Sequence, residues 1–153
     1  MNQGATWYPL KHRQFRLFWS AGAVINIAIW MQTVGAAWIM AGLTDSAWMV
    51  SLVQTAMTLP VFLFGLPGGV IADLVNRKYW LLFTQSVMLT AASILFVLAA
   101  TGSLSTWMLL SLTFLLGTGS ALSMSAWMAV TLTLIPREIV PAAVALNAIS
   151  TNV

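Results

Sequence analysis

The sequence contains no cysteine. Disulfide bonds, thiolate metal sites and cysteine nucleophiles are therefore excluded. It has one histidine, His12, which lies between Lys11 and Arg13. That setting is typical of a solvated side chain at a surface rather than of a metal ligand. We therefore predict no metal site and no other cofactor.

Charge is also scarce. Only 6% of the 153 residues are charged and 60% are hydrophobic, whereas about 25% of the residues in a soluble domain are charged. So few charges cannot cover a water-exposed surface, and we expect the chain to be surrounded by membrane lipid. The six Lys and Arg residues are scattered, and no zinc-finger or RNA-binding motif is present. Nucleic acid is therefore not expected as a partner.

The charged residues divide the chain into uncharged stretches at 17–44, 46–72, 79–136 and 139–153. A helix needs about 20 apolar residues to cross a membrane. The third stretch is long enough for two helices, and its Gly- and Ser-containing segment at 101–105 predicts a turn between them. We predict an all-α membrane protein with four transmembrane helices at about 17–41, 47–72, 79–100 and 106–135, and the start of a fifth at 141–153.

The basic residues predict an orientation. If the helices alternate in direction, all the cations fall on one side of the membrane, and Lys and Arg favour the cytoplasmic side. We therefore expect a multi-pass protein of the cytoplasmic membrane, with segment 1–16 in the cytoplasm, followed by a partial transmembrane bundle at 17–153. The cations are Lys11, Arg13, Arg16, Arg77, Lys78 and Arg137.

Polar side chains inside the predicted helices are the candidates for a substrate site. An amide that faced lipid would cost several kcal/mol, so Asn26, Gln32 and Gln54 should face protein or a water-filled cavity. A hydrogen bond between helices, worth roughly 1 kcal/mol, explains them as well as a cavity wall does. Trp127 is a fourth cavity candidate, because Trp stacks on flat ligands.

Catalytic chemistry has no candidate residues. No Asp, Glu, Lys, Arg or His lies within a predicted helix, although intramembrane proton or ion sites normally use such a residue. Paired catalytic carboxylates, a Ser-His-Asp set, a phosphate-binding loop and a dinucleotide motif are also lacking. We therefore do not expect an enzyme.

Small residues recur along three of the predicted helices. Such stripes let helix backbones approach closely in lipid, and we expect them to mark helix packing. Their members are Ala21, Ala28, Gly35 and Gly42 in the first helix, Gly65 and Gly69 in the second, and Gly117, Ala121, Ser125 and Ala129 in the fourth.

The segment GGVIADLVNRKYW, residues 68–80, concentrates charge between two apolar helices; we call it the charged bend. Arg77 and Lys78 are explained by the orientation of the chain. Asp73 is not, because a carboxylate at the end of its own helix is unfavourable by roughly 0.3–1 kcal/mol. It can pair with Arg77, meet the N-terminus of another helix, or remain solvated.

The charged bend resembles the loop between the second and third helices of the major facilitator superfamily. Gly69, Asp73, Arg77 and Lys78 match that motif, whereas Leu74 replaces a basic residue. Asn76 replaces a Gly, a mild change because Asn tolerates left-handed backbone. The segments FRLFWS, WMQTVGAAW and IPREIVPAAVALNAISTN are similar to the branch of drug and siderophore exporters that includes enterobactin and macrolide efflux proteins.

The resemblance implies twelve helices in two halves that give alternating access to a central cavity. It makes this chain an N-terminal fragment, whose partners are membrane lipid, a small-molecule substrate and the C-terminal half of the transporter. The acid at Asp73 would engage a helix end of that half and latch the outward-facing state. Thr113 stands where many proton-coupled exporters have Arg, which leaves the coupling ion open.

The expected function is therefore the export of small amphipathic molecules. Two alternatives remain open at this stage. The chain could be a small membrane protein that binds or regulates a partner, or an inactive truncated transporter.

Overall fold

The computed structural model describes residues 13–133, and its regular elements there are four helices. They are α1 (Arg13–Leu43), α2 (Ala47–Leu74), α3 (Arg77–Ala100) and α4 (Thr106–Thr133). No strand occurs within this part of the chain. The predicted fifth helix at 141–153 and the cation Arg137 lie outside the described residues.

All four helices contain a segment long and apolar enough to cross a membrane, at Phe15–Leu43, Ala47–Ala72, Arg77–Ala100 and Thr106–Met128. The predicted fold class, an all-α membrane protein with four such helices, is confirmed. The helix ends differ by a few residues. α1 begins at Arg13 instead of 17, and α3 at Arg77 instead of 79, because Arg and Lys are good helix formers and need not end a helix.

The predicted turn at 101–105 is confirmed, and its geometry explains the Gly. Gly102 has a φ of 69°, a left-handed conformation that Gly adopts without steric cost. The N–H of Ser103 donates to the Leu98 carbonyl at 3.1 Å, and that of Gly102 to the Ala99 carbonyl at 3.3 Å. These two bonds form a Schellman motif that ends α3. Ser105 then caps α4 by accepting from the Met108 N–H at 3.3 Å.

The chain divides into two compact units. Among the described residues, one contains 13–31 and 128–133, and the other is Gln32–Trp127. The second unit holds a hydrophobic core to which the end of α1 and all of the other helices contribute. Its buried members are Ala36, Met40, Val53, Ala91, Leu95, Leu104, Leu109 and Leu116.

Within that second unit, α4 packs closely on α2. A Cβ atom added to Gly117 would lie 2.6 Å from the Met57 carbonyl oxygen and 3.2 Å from that of Ala56. Pro60, which is buried, removes the N–H that would otherwise bond the Ala56 carbonyl. The α4 backbone therefore lies against α2 where its hydrogen-bond ladder is interrupted, and only Gly leaves room there.

On its other side α4 packs on α3. A Cβ atom on Gly119 would collide with the Met88 side chain and lie 3.6 Å from the Thr84 carbonyl oxygen. Gly119 lies next to Thr84, and Leu122, later in α4, lies next to Trp80, which is earlier in α3. The two helices are therefore antiparallel, as helices joined by one short turn should be.

The small-residue stripe of α4 is confirmed at Gly117 and Ala121, the two members whose burial the structure describes, whereas several members of the other two stripes have no close neighbour among the described residues. Gly117 and Ala121 are buried, whereas an added Cβ would meet nothing within 4 Å at Gly35, Gly42 and Gly65 in the described part of the chain. In α2 the close contact falls instead on Gly68, which is buried. Spacing identifies a smooth helix face, but it does not identify the face that a neighbour covers.

Candidate functional site

The charged bend is a short link between two helices. α2 ends at Leu74, and the Val75 N–H donates to the Ile71 carbonyl at 3.1 Å. α3 begins at Arg77, and the N–H of Trp80 donates to the Asn76 carbonyl at 3.0 Å. Two residues therefore reverse the chain, and the bend is fixed by backbone hydrogen bonds on both sides.

Asn76 is the N-cap of α3. Its side-chain oxygen accepts a hydrogen bond from the Lys78 N–H at 3.0 Å, which satisfies one of the free donors of the first helical turn. Its φ of −65° and ψ of 114° are extended, so the left-handed conformation considered for this residue is not used. Asn suits the position because Asn is among the best N-caps, and Gly is also accepted there.

The motif residues occupy both sides of this link. Arg77 and Lys78 are exposed in the first turn of α3, and Gly69 is half-buried in α2. Asp73 lies in the last turn of α2, as its sequence position predicted, but its side chain is outside the part that the structure describes. Its ionic partner therefore remains a prediction.

Both ends of the charged bend, Gly68 and Trp80, contact one residue of α4, Leu122. The Trp80 indole N–H donates to the Leu122 carbonyl at 2.9 Å. A Cβ atom on Gly68 would lie 3.0 Å from Leu122 Cδ2 and 3.2 Å from its Cα. Sequence reasoning included these two residues as the ends of the bend but assigned no role to them. Two sequence features could have indicated them: a Gly directly before the motif, and a Trp, whose indole N–H can donate a hydrogen bond, two residues after it.

The four cavity candidates differ in exposure. Gln32 is half-buried, and both polar atoms of its amide are buried without a hydrogen-bond partner among the residues that the structure describes. Asn26 and Trp127 are also half-buried. Gln54 is exposed on α2, next to the buried core residue Val53. Three of the four belong to the second unit and Asn26 to the first.

Thr113 is an additional polar residue inside the core. It is fully buried, and within residues 13–133 its hydroxyl oxygen has no hydrogen-bond partner. Other threonines bond a carbonyl of the preceding turn, as Thr118 does with Phe114 at 2.9 Å and Thr84 with Trp80 at 3.1 Å. The sequence identified Thr113 only as a position where Arg is common, and its unpaired hydroxyl could not be foreseen.

Four apolar helices joined by short links, with a basic bend between the second and third, are the architecture of a polytopic membrane protein. The transmembrane secretion effector family model, of the major facilitator type, matches residues 4–153. The chain therefore belongs to this family. No curated protein and no solved structure matched it.

Proposed function

We propose that the protein exports small amphipathic molecules of the drug or siderophore class by alternating access across the cytoplasmic membrane. The observation that carries this proposal is the match to transmembrane secretion effectors over residues 4–153. Secretion is outward transport, and the four apolar helices supply the membrane part of it.

The buried amide of Gln32 supports a polar substrate site. It lies 11 residues before the end of α1, from 32 to 43, which is about 16 Å at about 1.5 Å per residue. The hydrocarbon core is about 30 Å thick, so with the end of α1 at the membrane surface Gln32 would lie near the middle of the core, where transporters hold their substrates. A buried amide needs a polar partner, and a polar group of the substrate would supply one.

We assign Gln54 and Trp127, which belong to the same unit as Gln32, to the wall of this site, and Asn26 stays a cavity prediction from the sequence. The exposure of Gln54 on the described helices is consistent with a side chain that other helices or substrate cover. Trp127 offers an aromatic surface to the apolar part of an amphipathic molecule.

The charged bend acts as a cytoplasmic gate in this proposal. Asp73 makes its favourable contact in only one of the two transport states, and such a contact shifts their populations. Arg77 and Lys78 hold the bend on the cytoplasmic side.

Accumulation of a panel of substrates tests the function. Cells that express the protein, and cells that do not, receive a fluorescent amphipathic dye, a macrolide or a siderophore. We expect expression to lower the accumulation of at least one of them in an energy-dependent manner. Equal accumulation of every compound at verified membrane abundance would contradict export of this class.

A pair of variants tests the cavity. Gln32→Leu keeps the size of the side chain and removes its polar atoms, and we expect export to fall about tenfold, because an unmade hydrogen bond costs about 1–3 kcal/mol. Gln85→Leu makes the same change in α3, outside the proposed wall, and should export normally. Equal export by both variants would remove Gln32 from the site.

A further inference from the structure

We propose that Trp80 is a positioning residue for the charged bend: together with Gly68 it fastens the two ends of the bend to Leu122, so that the bend moves with α4. The proposal rests on the gate role proposed above. It adds a physical connection between the gate and the helix that carries Trp127.

The first contact is a directional bond. The Trp80 indole nitrogen and the Leu122 carbonyl oxygen are 2.9 Å apart, and the residues are 42 positions apart in the sequence. The bond is part-buried, and few polar partners are available between apolar helices, so an indole N–H that loses its acceptor there has no easy replacement. The indole is also held from the side by Phe83, with ring centroids 6.0 Å apart.

The second contact is a close approach of two backbones. Gly68 faces Leu122 so closely that a methyl group would lie 3.2 Å from the Leu122 Cα. Gly65 precedes it in the same helix, and an added Cβ there would meet nothing within 4 Å. The requirement for Gly is therefore local to the residue that touches α4.

The two contacts lie at the two ends of the charged bend. Gly68 lies in the last two turns of α2, and Trp80 lies in the first turn of α3. Because both rest on one residue, a displacement of α4 must carry the bend with it or break a contact. Leu122 and Trp127 belong to the same helix, so a substrate that shifts α4 at the proposed cavity would also shift the bend.

Packing of apolar side chains alone could also bring Trp80 and Leu122 together. The packing explanation and the positioning explanation differ in whether the indole N–H of Trp80 is needed. If Trp80 only fills space, then Phe should replace it without effect on the bend. If it positions the bend, then loss of the N–H should loosen the bend even though an aromatic ring remains.

Spin labels measure this directly. The chain has no cysteine, so cysteines introduced at Val75 and Met124, both exposed, can be labelled selectively in the purified protein in lipid nanodiscs. Double electron–electron resonance then gives the distance distribution between the bend and α4. The test variants are Trp80→Phe and Gly68→Ala. The matched controls are Trp107→Phe, at an exposed Trp, and Gly65→Ala.

We expect the distribution to broaden in both test variants and to remain unchanged in both controls. Unchanged distributions in Trp80→Phe and Gly68→Ala would overturn the proposal. If Trp80→Phe does not reach the membrane, then the distance distribution of Gly68→Ala alone tests the proposal. Export per molecule should also fall about threefold to fivefold in Trp80→Phe, as expected for one hydrogen bond between helices.

Asp73→Asn separates this inference from the gate proposal. We expect this variant to keep the narrow distribution, since it leaves both contacts with Leu122 intact. If Asp73→Asn exports normally while Trp80→Phe broadens the distribution, then the fastening stands and the gate role fails. If Asp73→Asn slows export while Trp80→Phe changes neither measurement, then the gate stands and the fastening fails.

Discussion

At Gly117 two helix backbones approach more closely than any side chain allows. The Met57 carbonyl would lie 2.6 Å from a methyl group there, and a carbonyl within a helix cannot move aside as a flexible side chain can. Pro60 makes this part of α2 special, since it leaves the Ala56 carbonyl without its usual donor. A Gly Cα–H is a weak donor that can approach such carbonyls.

Replacing this Gly tests the contact. Gly117→Ala should lower the thermal unfolding midpoint in detergent, because overpacking costs about 1–3 kcal/mol. Gly35→Ala introduces the same methyl group into open space and should be neutral or stabilise α1 by up to about 1 kcal/mol. A Gly117→Ala midpoint at or above that of the parent protein would show that the contact is not tight.

The cap of α3 gives a second test at the scale of the residue. Asn76→Ala removes the side-chain acceptor for the Lys78 N–H and should destabilise the protein by about 0.5–2 kcal/mol. Asn76→Asp keeps the acceptor and should be close to the parent protein. Asn76→Gly should cost only a few tenths of a kcal/mol. Equal unfolding midpoints for Asn76→Ala and Asn76→Asp would exclude a capping role for Asn76.

At the scale of the element, the helices follow closely from the sequence because apolar length and turn residues are local signals. The segment at 101–105 predicted the α3–α4 turn, and Gly102 adopts the left-handed conformation there. The partners of each helix were harder to predict, since packing depends on distant residues. Thus Gly65 and Gly68 are alike in the sequence, yet only Gly68 meets α4.

The turn itself is testable. Gly102→Ala places a Cβ in a left-handed conformation, which costs about 1–2 kcal/mol, and should lower the unfolding midpoint. Ser103→Ala is a control at the next, exposed residue, whose backbone bond to Leu98 does not need a side chain. A midpoint for Gly102→Ala equal to that of the control would contradict the role assigned to the turn.

At the scale of the whole molecule, the candidate site was only partly predictable. The charged bend was visible because its residue types are unusual in an apolar chain. The buried amide of Gln32 was a candidate for the same reason. The contacts of Gly68 and Trp80 with Leu122 could not be predicted, because they join segments that are distant in the sequence.

The predicted orientation can be measured with single cysteines. Val75 lies in the charged bend and Ser103 in the opposite turn, and both are exposed. We expect Ser103→Cys to react with a membrane-impermeant maleimide in intact cells, and Val75→Cys to react only after the membrane is opened. Labelling of Val75→Cys in intact cells would contradict the predicted topology, which is based on the distribution of Lys and Arg.

The gate role of the charged bend is the central claim, and export by Asp73→Asn tests it most directly. Asn keeps the shape of the side chain and removes its charge. A contact that biases two states by about 1.4 kcal/mol changes their ratio about tenfold, so we expect export per molecule to fall by about that factor at equal membrane abundance. Export equal to that of the parent protein, at equal abundance, would contradict the gate role.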